Sequence, residues 1–328
     1  MEFLVFIGKR IASSTITIIV IMALAFFIIN LAPGDPAILM AGEAATPEYI
    51  DNIRKAYGLD KPIHERFIIY VSNLLTGNWG YSLSYQMPVI DAIFTRLPQT
   101  LLLVGSALII GIFVGLLLGI TSATRENRLV DLLISSATLT LYSIPVFWLG
   151  LLLILAFSIY YPLFPTGGLY DIGIESNLLV LIPNILWHMV LPVTTLSTIF
   201  IATYARITRS VMIESLRSNY VIGAIAKGLP RKVVLYRYAL RNALIPIIAV
   251  AGSQFGQIIA GAVLTETIYS WPGMGTLLVQ ALSYRDYPLI TGILIFTGIA
   301  VAISNFVADL IMARIDPRVR ARLIGKVY

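Results

Sequence analysis

Six apolar stretches, at 11–31, 101–121, 132–160, 178–204, 240–264 and 289–312, constrain this chain more than any other feature. A helix needs about 20 apolar residues to cross a hydrocarbon layer about 30 Å thick, and all six are long enough. Composition agrees, because 58% hydrophobic and 12% charged residues leave too little polar surface to solvate a globule of this length. The reading is an all-α membrane protein with six transmembrane helices. The third and fourth stretches exceed the span length and admit tilt or kinks, with Pro145, Pro183 and Pro192 as kink sites and Pro246 as another in the fifth.

The first stretch follows Lys9 and Arg10. It is long for the apolar part of a secretion signal and no small-x-small cleavage pattern follows it, so it reads as a retained anchor. With Lys9 and Arg10 in the cytoplasm, six crossings return the C-terminus, with Arg314, Arg318, Arg320, Arg322 and Lys326, to the same side. Seventeen of the 23 basic residues then face the cytoplasm. The other six, Arg54, Lys55, Lys61, Arg66, Arg96 and Arg285, lie mostly in one long loop, where the positive-inside rule acts weakly. Membrane orientation thus accounts for the net charge of +6 without a nucleic-acid partner. The chain has no cysteine, which excludes disulfides, thiolate chemistry and cysteine-bound metals.

Three regions follow: 1–32, the N-terminus and first helix; 33–98, an extracytoplasmic loop or cap; and 99–328, the core, with a cytoplasmic loop at 206–239. In the external region Thr46 and Pro47 ahead of Glu48 signal a helix start, and Gly58 and Pro62 are breakers. It forms either a small substrate-guiding cap or an extended loop over the outer face. Gly111, Gly115 and Gly119, and again Gly252, Gly256 and Ala260, put a small residue at every fourth position, which lets a second helix approach closely.

Few polar groups lie inside the spans. Asp309 reads as an interfacial partner of Arg314 or another basic residue, and His188 as a hydrogen-bonding group of the bundle. Asn30, Asn184, Asn305, Gln254 and Gln257 complete the set; the two glutamines either line a polar translocation path or bond between helices. Catalytic chemistry is missing: His64 and His188 cannot form HExxH, and no GxSxG occurs. The run 223–228, GAIAKG, begins like a phosphate-binding loop but continues with Leu229 and Pro230, so the chain is not expected to bind ATP.

Residues 220–246 form a basic, glycine-punctuated island. As a helix, 220–229 would place Ile222, Ile225, Ala226 and Leu229 on one face, expected to pack under the bundle, with Tyr220, Ala224 and Lys227 offered outward. Gly223, Ala224 and Gly228 would let the outward side enter a cleft, and Gly228 and Pro230 would end the helix. Two readings fit: a socket for another protein, or a solvated basic loop against acidic headgroups.

The run resembles the cytoplasmic signature loop of ATP-binding-cassette (ABC) importer permeases, in the version found in the dipeptide and oligopeptide family. In that family YVxxAxAKGL precedes basic residues and ALRNALxP; here Tyr220, Val221, Ala224, Ala226, Lys227, Gly228 and Leu229 match, as do residues 239–244 and Pro246. The Glu-Ala-Ala of importers in general is replaced by Ile222, Gly223 and Ala224, a departure common to this family. LAPGDP at 31–36, the loop with Glu266, Tyr269, Trp271, Pro272, Gly273 and Gly275, RDYPL at 285–289, and Asn305, Asp309 and DPRVR at 316–320 extend the likeness over the whole chain.

The resemblance implies the type I importer fold with both termini cytoplasmic, and the loop before the second span points to the first of two permease subunits. It implies a second homologous permease, two cytoplasmic ATPases that carry the ATP and magnesium, and an extracytoplasmic solute-binding protein. Tyr220, Ala224, Ala226, Lys227, Gly228 and Leu229 would couple to an ATPase, Glu266, Trp271, Pro272 and Gly273 would form an external gate loop, and Gln254 and Gln257 would line the path. Peptide is the expected cargo, with nickel or oligosaccharide as alternatives. The rival from another class is a stand-alone secondary transporter, which would require carboxylates at mid-membrane.

Overall fold

A computed structural model describes residues 2–31, 37–38, 45–56, 60–174, 177–260 and 262–315. Helix α1 (Glu2–Leu31) is followed by the short helices α2 (Pro47–Ala56) and α3 (Ile63–Leu75). A two-residue hairpin, β1 (Tyr81–Ser82) antiparallel to β2 (Met87–Pro88), then leads into the 35-residue α4 (Val89–Ala123). The external region is therefore partly folded, with the Thr46 hydroxyl accepting from the Tyr49 N–H at 3.3 Å as expected of a helix start. Gly58 and the LAPGDP run after Leu31 lie outside the described residues, as does the DPRVR run. Helix α4 begins ten residues before residue 99, where the core was expected to start, and runs through Pro98.

Next come α5 (Leu129–Ser143) and α6 (Val146–Ile154), the latter ending in a π-helical turn (Leu155–Tyr160). The third stretch was expected to be one helix; it is two, meeting at 94°. Pro145 has no N–H to donate, and its ring forces Ile144 out of the helical region to φ −74°, ψ 125°. Pro183 and Pro192 sit inside the unbroken 39-residue α7 (Leu178–Leu216), so the same residue type breaks one span and is absorbed by another. The run to Leu216 also makes the first third or so of the expected cytoplasmic loop, residues 206–216 of 206–239, a continuation of this helix.

Helix α8 (Asn219–Ala226) precedes α9 (Arg231–Val233), which passes through a π-helical turn (Val234–Leu240) into α10 (Arg241–Ala260), where Pro246 is internal. The chain ends with α11 (Val263–Ile268), α12 (Met274–Ser283) and α13 (Tyr287–Ile315). Among the described residues five helices are long and apolar enough to cross a membrane, and the bent pair α5/α6, taken as one span, brings the number to six.

Helices α4 and α7 form the spine. A Cβ on Gly111, Gly115 or Gly119 would lie 2.1, 2.7 and 2.4 Å from the Cβ atoms of Phe200, Tyr204 and Thr208 respectively. The small-residue stripe of α4 thus matches an i, i+4, i+8 row of α7 in the same chain. Gly252 does the same for α10 against Ala308 of α13, at 2.9 Å, while the side-chain surroundings at 256 and 260 are outside the described set.

Candidate functional site

The island folds as a short, sharply terminated helix. The N–H of Gly228 reaches the Ile225 carbonyl at 2.9 Å and that of Leu229 the Ala224 carbonyl at 3.4 Å, with Gly228 at φ +72°. This double bond pattern about a left-handed glycine is a Schellman cap, so Gly228 ends the helix as expected. Lys227 sits at the helix C-terminus, the favourable end for a cation.

Tyr220 and Lys227 face outward as expected, but the inner face differs from the sequence reading. Val221 (0% exposed) and Ala224 (3%) face inward, while Ile222 (53%) and Ile225 (58%) are exposed. Ala226, Lys227 and Gly228 are exposed, Tyr220 is exposed with its hydroxyl 2.6 Å from Ser215 Oγ, and Leu229 is half-buried. The inward pair joins a cluster of Ile120 and Ala123 at the end of α4, Met212 of α7, and Val234 and Ala239 of the π turn. Small side chains are needed where the helix meets the bundle, which is why Ala224 points in. The Ser215 hydroxyl also donates to the Ala239 carbonyl at 3.0 Å, in the widened turn where the α-helical pattern is lost.

An ion pair beneath this surface was not anticipated. Asp131 at the start of α5 is buried and takes a two-pronged contact from Arg209 of α7, Nε to Oδ1 at 2.7 Å and Nη2 to Oδ2 at 2.8 Å. The Ser122 hydroxyl and the Asn127 N–H, the latter at 2.9 Å, complete the carboxylate's partners. Arg209 belongs to the stretch 206–239, expected to be a cytoplasmic loop, ahead of the island. Its local sequence gives no sign of a partner 78 positions earlier.

At the far end of α4 the second motif forms a buried knot. The Glu266 carboxylate is fully buried; Oε1 accepts from Thr100 Oγ1 at 2.8 Å, and Oε2 from the N–H groups of Gly275 and Thr276 at 2.7 and 3.2 Å. Thr100 Oγ1 accepts from the Met274 N–H at 2.7 Å. The first N–H groups of α12 are therefore capped by side chains from α11 and α4, because Gly273 at the N-cap has none to offer. A Cβ on Gly273 would lie 2.4 Å from Glu266 Oε2, and one on Gly275 2.6 Å from Val263 Cα. Burial pushes the Glu266 carboxyl up, opposed by these donors. Trp271 is buried next to Pro272 and donates from Nε1 to the Gln99 carbonyl at 2.9 Å, and Tyr269 bonds Thr195 Oγ1 at 2.8 Å. Thr100 and Ile120 are 20 residues apart on one helix, about 30 Å, so knot and island sit at opposite faces of a hydrocarbon-thick layer.

Asp286 of the RDYPL run anchors the hairpin, accepting from the hydroxyls of Ser82 and Ser84, each at 2.6 Å, and from the Leu289 N–H at 3.2 Å. Gln254 accepts from the Tyr204 hydroxyl at 2.6 Å, which is inter-helix bonding; the Gln257 side chain is outside the described residues. His188 is a bundle hydrogen-bonder as read, its ring contacting the Gly167 carbonyl at 3.1 Å and Asp171 at 3.2 Å. Asn184 donates to Asp171 at 2.7 Å, and this amide, then the His188 ring, holds the Asp171 carboxyl below the usual range. Asp309 forms the expected ion pair, with Arg10 at 2.8 Å.

A bundle of apolar, membrane-crossing helices with a capped, outward-facing helix on one side fits a membrane permease subunit. The family described as the binding-protein-dependent transport system inner membrane component matches residues 111–321, and the N-terminal companion family matches 3–104. The chain belongs to this family. It is 39% identical to the di/tripeptide transport system permease protein of Pseudomonas aeruginosa, over 96% of this chain and 98% of the relative. Against the dipeptide transport system permease protein of Escherichia coli the identity is 36%, over 96% and 98%. Against the probable D,D-dipeptide permease protein of the same organism it is 38%, over 91% and 92%.

Proposed function

We propose that this chain is the first of two homologous permease halves of an ABC importer for di- and oligopeptides. The observation that carries the coupling role is α8: its inner face is fixed in the bundle, its end is set by a glycine cap, and Ile222 and Ile225 stand exposed. An apolar pair on a rigid, basic platform suits a groove in a partner, whereas a headgroup-binding loop would not need it. In this reading α8 seats in one of two cytoplasmic ATPases, which bind the ATP and magnesium. Closure of the ATPase pair pushes α8, and the push reaches α4, α5 and α7 through the Met212 cluster and the Asp131–Arg209 pair. ATP biases the cycle because it binds the closed ATPase arrangement better.

The same reading places both termini in the cytoplasm and the Glu266–Trp271–Gly273 knot on the outside, where a solute-binding protein delivers peptide. Peptide rests on what the relatives' names say they carry. Affinity purification from native membranes tests the assembly: two nucleotide-binding subunits and a related permease should co-purify. Recovery of the chain alone, in a form that accumulates solute on an ion gradient, would overturn it.

A further inference from the structure

Beside the knot lies a recess of about 230 Å³, lined in part by Arg96, Thr267, Ser270, Trp271, Thr276 and Gln280. Arg96 is half-buried on α4, and among the described residues it has no carboxylate partner. Glu266, behind Trp271, is already saturated by the donors of Thr100, Gly275 and Thr276. The remaining polar groups divide in a telling way. Thr267 spends its hydroxyl proton on the Val263 carbonyl at 2.7 Å and Thr276 on the Trp271 and Gly273 carbonyls, both at 2.9 Å. The Gln280 side-chain oxygen accepts from the Tyr85 hydroxyl, leaving its NH2 group as a donor. The Ser270 hydroxyl is unengaged among the described residues.

The free hydrogen-bonding capacity is thus dominated by a guanidinium fork and an amide NH2, both donors, with a hydroxyl beside them. Such a set matches a planar carboxylate in two-pronged geometry and rejects a cation. The walls are prearranged, since Trp271 is buried and tied to the Gln99 carbonyl at 2.9 Å, which lowers the ordering cost of binding. The volume is below that of pockets enclosing a whole small ligand, about 300 Å³ upward, and suits one end of a larger molecule.

The geometry points to a carboxylate subsite at Arg96 that receives the C-terminal carboxylate of the peptide cargo. This rests on the peptide-importer reading above for the identity of the cargo, but not for the carboxylate chemistry. Arg96 holds one end of the peptide at the mouth beside the knot, and α12, which carries Thr276 and Gln280, forms the other wall.

Two measurements on the complete transporter separate the possibilities. In the first, saturation-transfer NMR with acetate and acetamide is run on the complex in lipid nanodiscs. Wild type should give a signal with acetate and little with acetamide; Arg96→Gln should lose the acetate signal and Arg96→Lys should keep part of it. An acetate signal unchanged in Arg96→Gln overturns the subsite. In the second, vesicles with the complex and its binding protein take up dialanine or dialanine amide. Arg96→Gln should lower dialanine uptake per ATP hydrolysed by about tenfold, the loss of one charge-assisted contact, with no further loss for the amide. Equal losses for both peptides overturn the cargo assignment. So does loss of binding-protein-stimulated ATP hydrolysis in Arg96→Gln, which would assign the recess to an acidic side chain of the docking protein. If wild type takes up no dialanine while Arg96-dependent acetate binding persists, the peptide reading fails and the carboxylate site stands.

Discussion

Gly228 stands at φ +72° with nothing within 4 Å of where a Cβ would sit, so the demand for glycine there comes from the backbone and not from crowding within the chain. An L-residue in that conformation costs about 1–2 kcal/mol, and asparagine pays least. Gly228→Val should therefore uncouple transport from ATP hydrolysis while the subunit still assembles in the membrane, and Gly228→Asn should retain more coupling. Measuring uptake per ATP in vesicles checks the order; equal behaviour of the two variants would contradict it. Glu266 makes a different demand. Its carboxylate accepts where a glutamine NH2 would present hydrogens to the Gly275 and Thr276 N–H groups, so Glu266→Gln should lower stability by about 1–3 kcal/mol. A drop in melting temperature in detergent is the readout, and Glu266→Asp should fall short of the same donors. The glutamate was legible in sequence only as part of a motif; that it caps a helix eight residues further on needed the fold.

At the scale of elements, α8 and the pair α5/α6 show where periodicity stops being informative. A short helix of small and apolar residues has two plausible inner faces, and hydrophobicity alone favoured the isoleucines. The fold chose Val221 and Ala224, which pack with Ile120 and Ala123 at the end of α4 and with Val234 and Ala239 of the π turn. Ile222→Ser combined with Ile225→Ser should leave the melting temperature nearly unchanged yet weaken capture of the ATPase subunits. Val221→Asp should instead destabilise the subunit, since it buries a charge without a partner. Pull-down of the ATPases alongside a melting curve distinguishes the two. The latch from α5 to α7 is tested by Asp131→Ala, expected to cost about 2–3 kcal/mol, less than a fully enclosed pair because Arg209 is a third exposed. Asp131→Ala with Arg209→Ala should recover part of that loss, measured as thermal stability of the purified complex.

For the molecule as a whole, two motifs only 20 residues apart in sequence bracket one long helix, the island at one end of α4 and the Glu266 knot at the other. A push at the first is felt at the second only if α4 and α7 move as a unit, which the interlocked row of Gly111, Gly115 and Gly119 against Phe200, Tyr204 and Thr208 provides. Gly115→Leu should separate these helices and sharply reduce the amount of folded subunit, seen as loss of a monodisperse peak in size-exclusion chromatography. The number of apolar crossings, the partly folded external region and the glycine packing stripes were all set by the sequence itself. Each depends on chain length, composition or residues close in sequence, and the lipid leaves a helix few alternatives. Tertiary structure alone decided that Pro145 breaks its crossing while Pro183 and Pro192 leave theirs whole, that Ala224 faces inward, that Asp131 finds Arg209, and that Glu266 caps α12. Those outcomes depend on which surfaces meet across long separations, where small differences in side-chain volume and one available hydrogen-bond partner choose between arrangements the local pattern leaves equal.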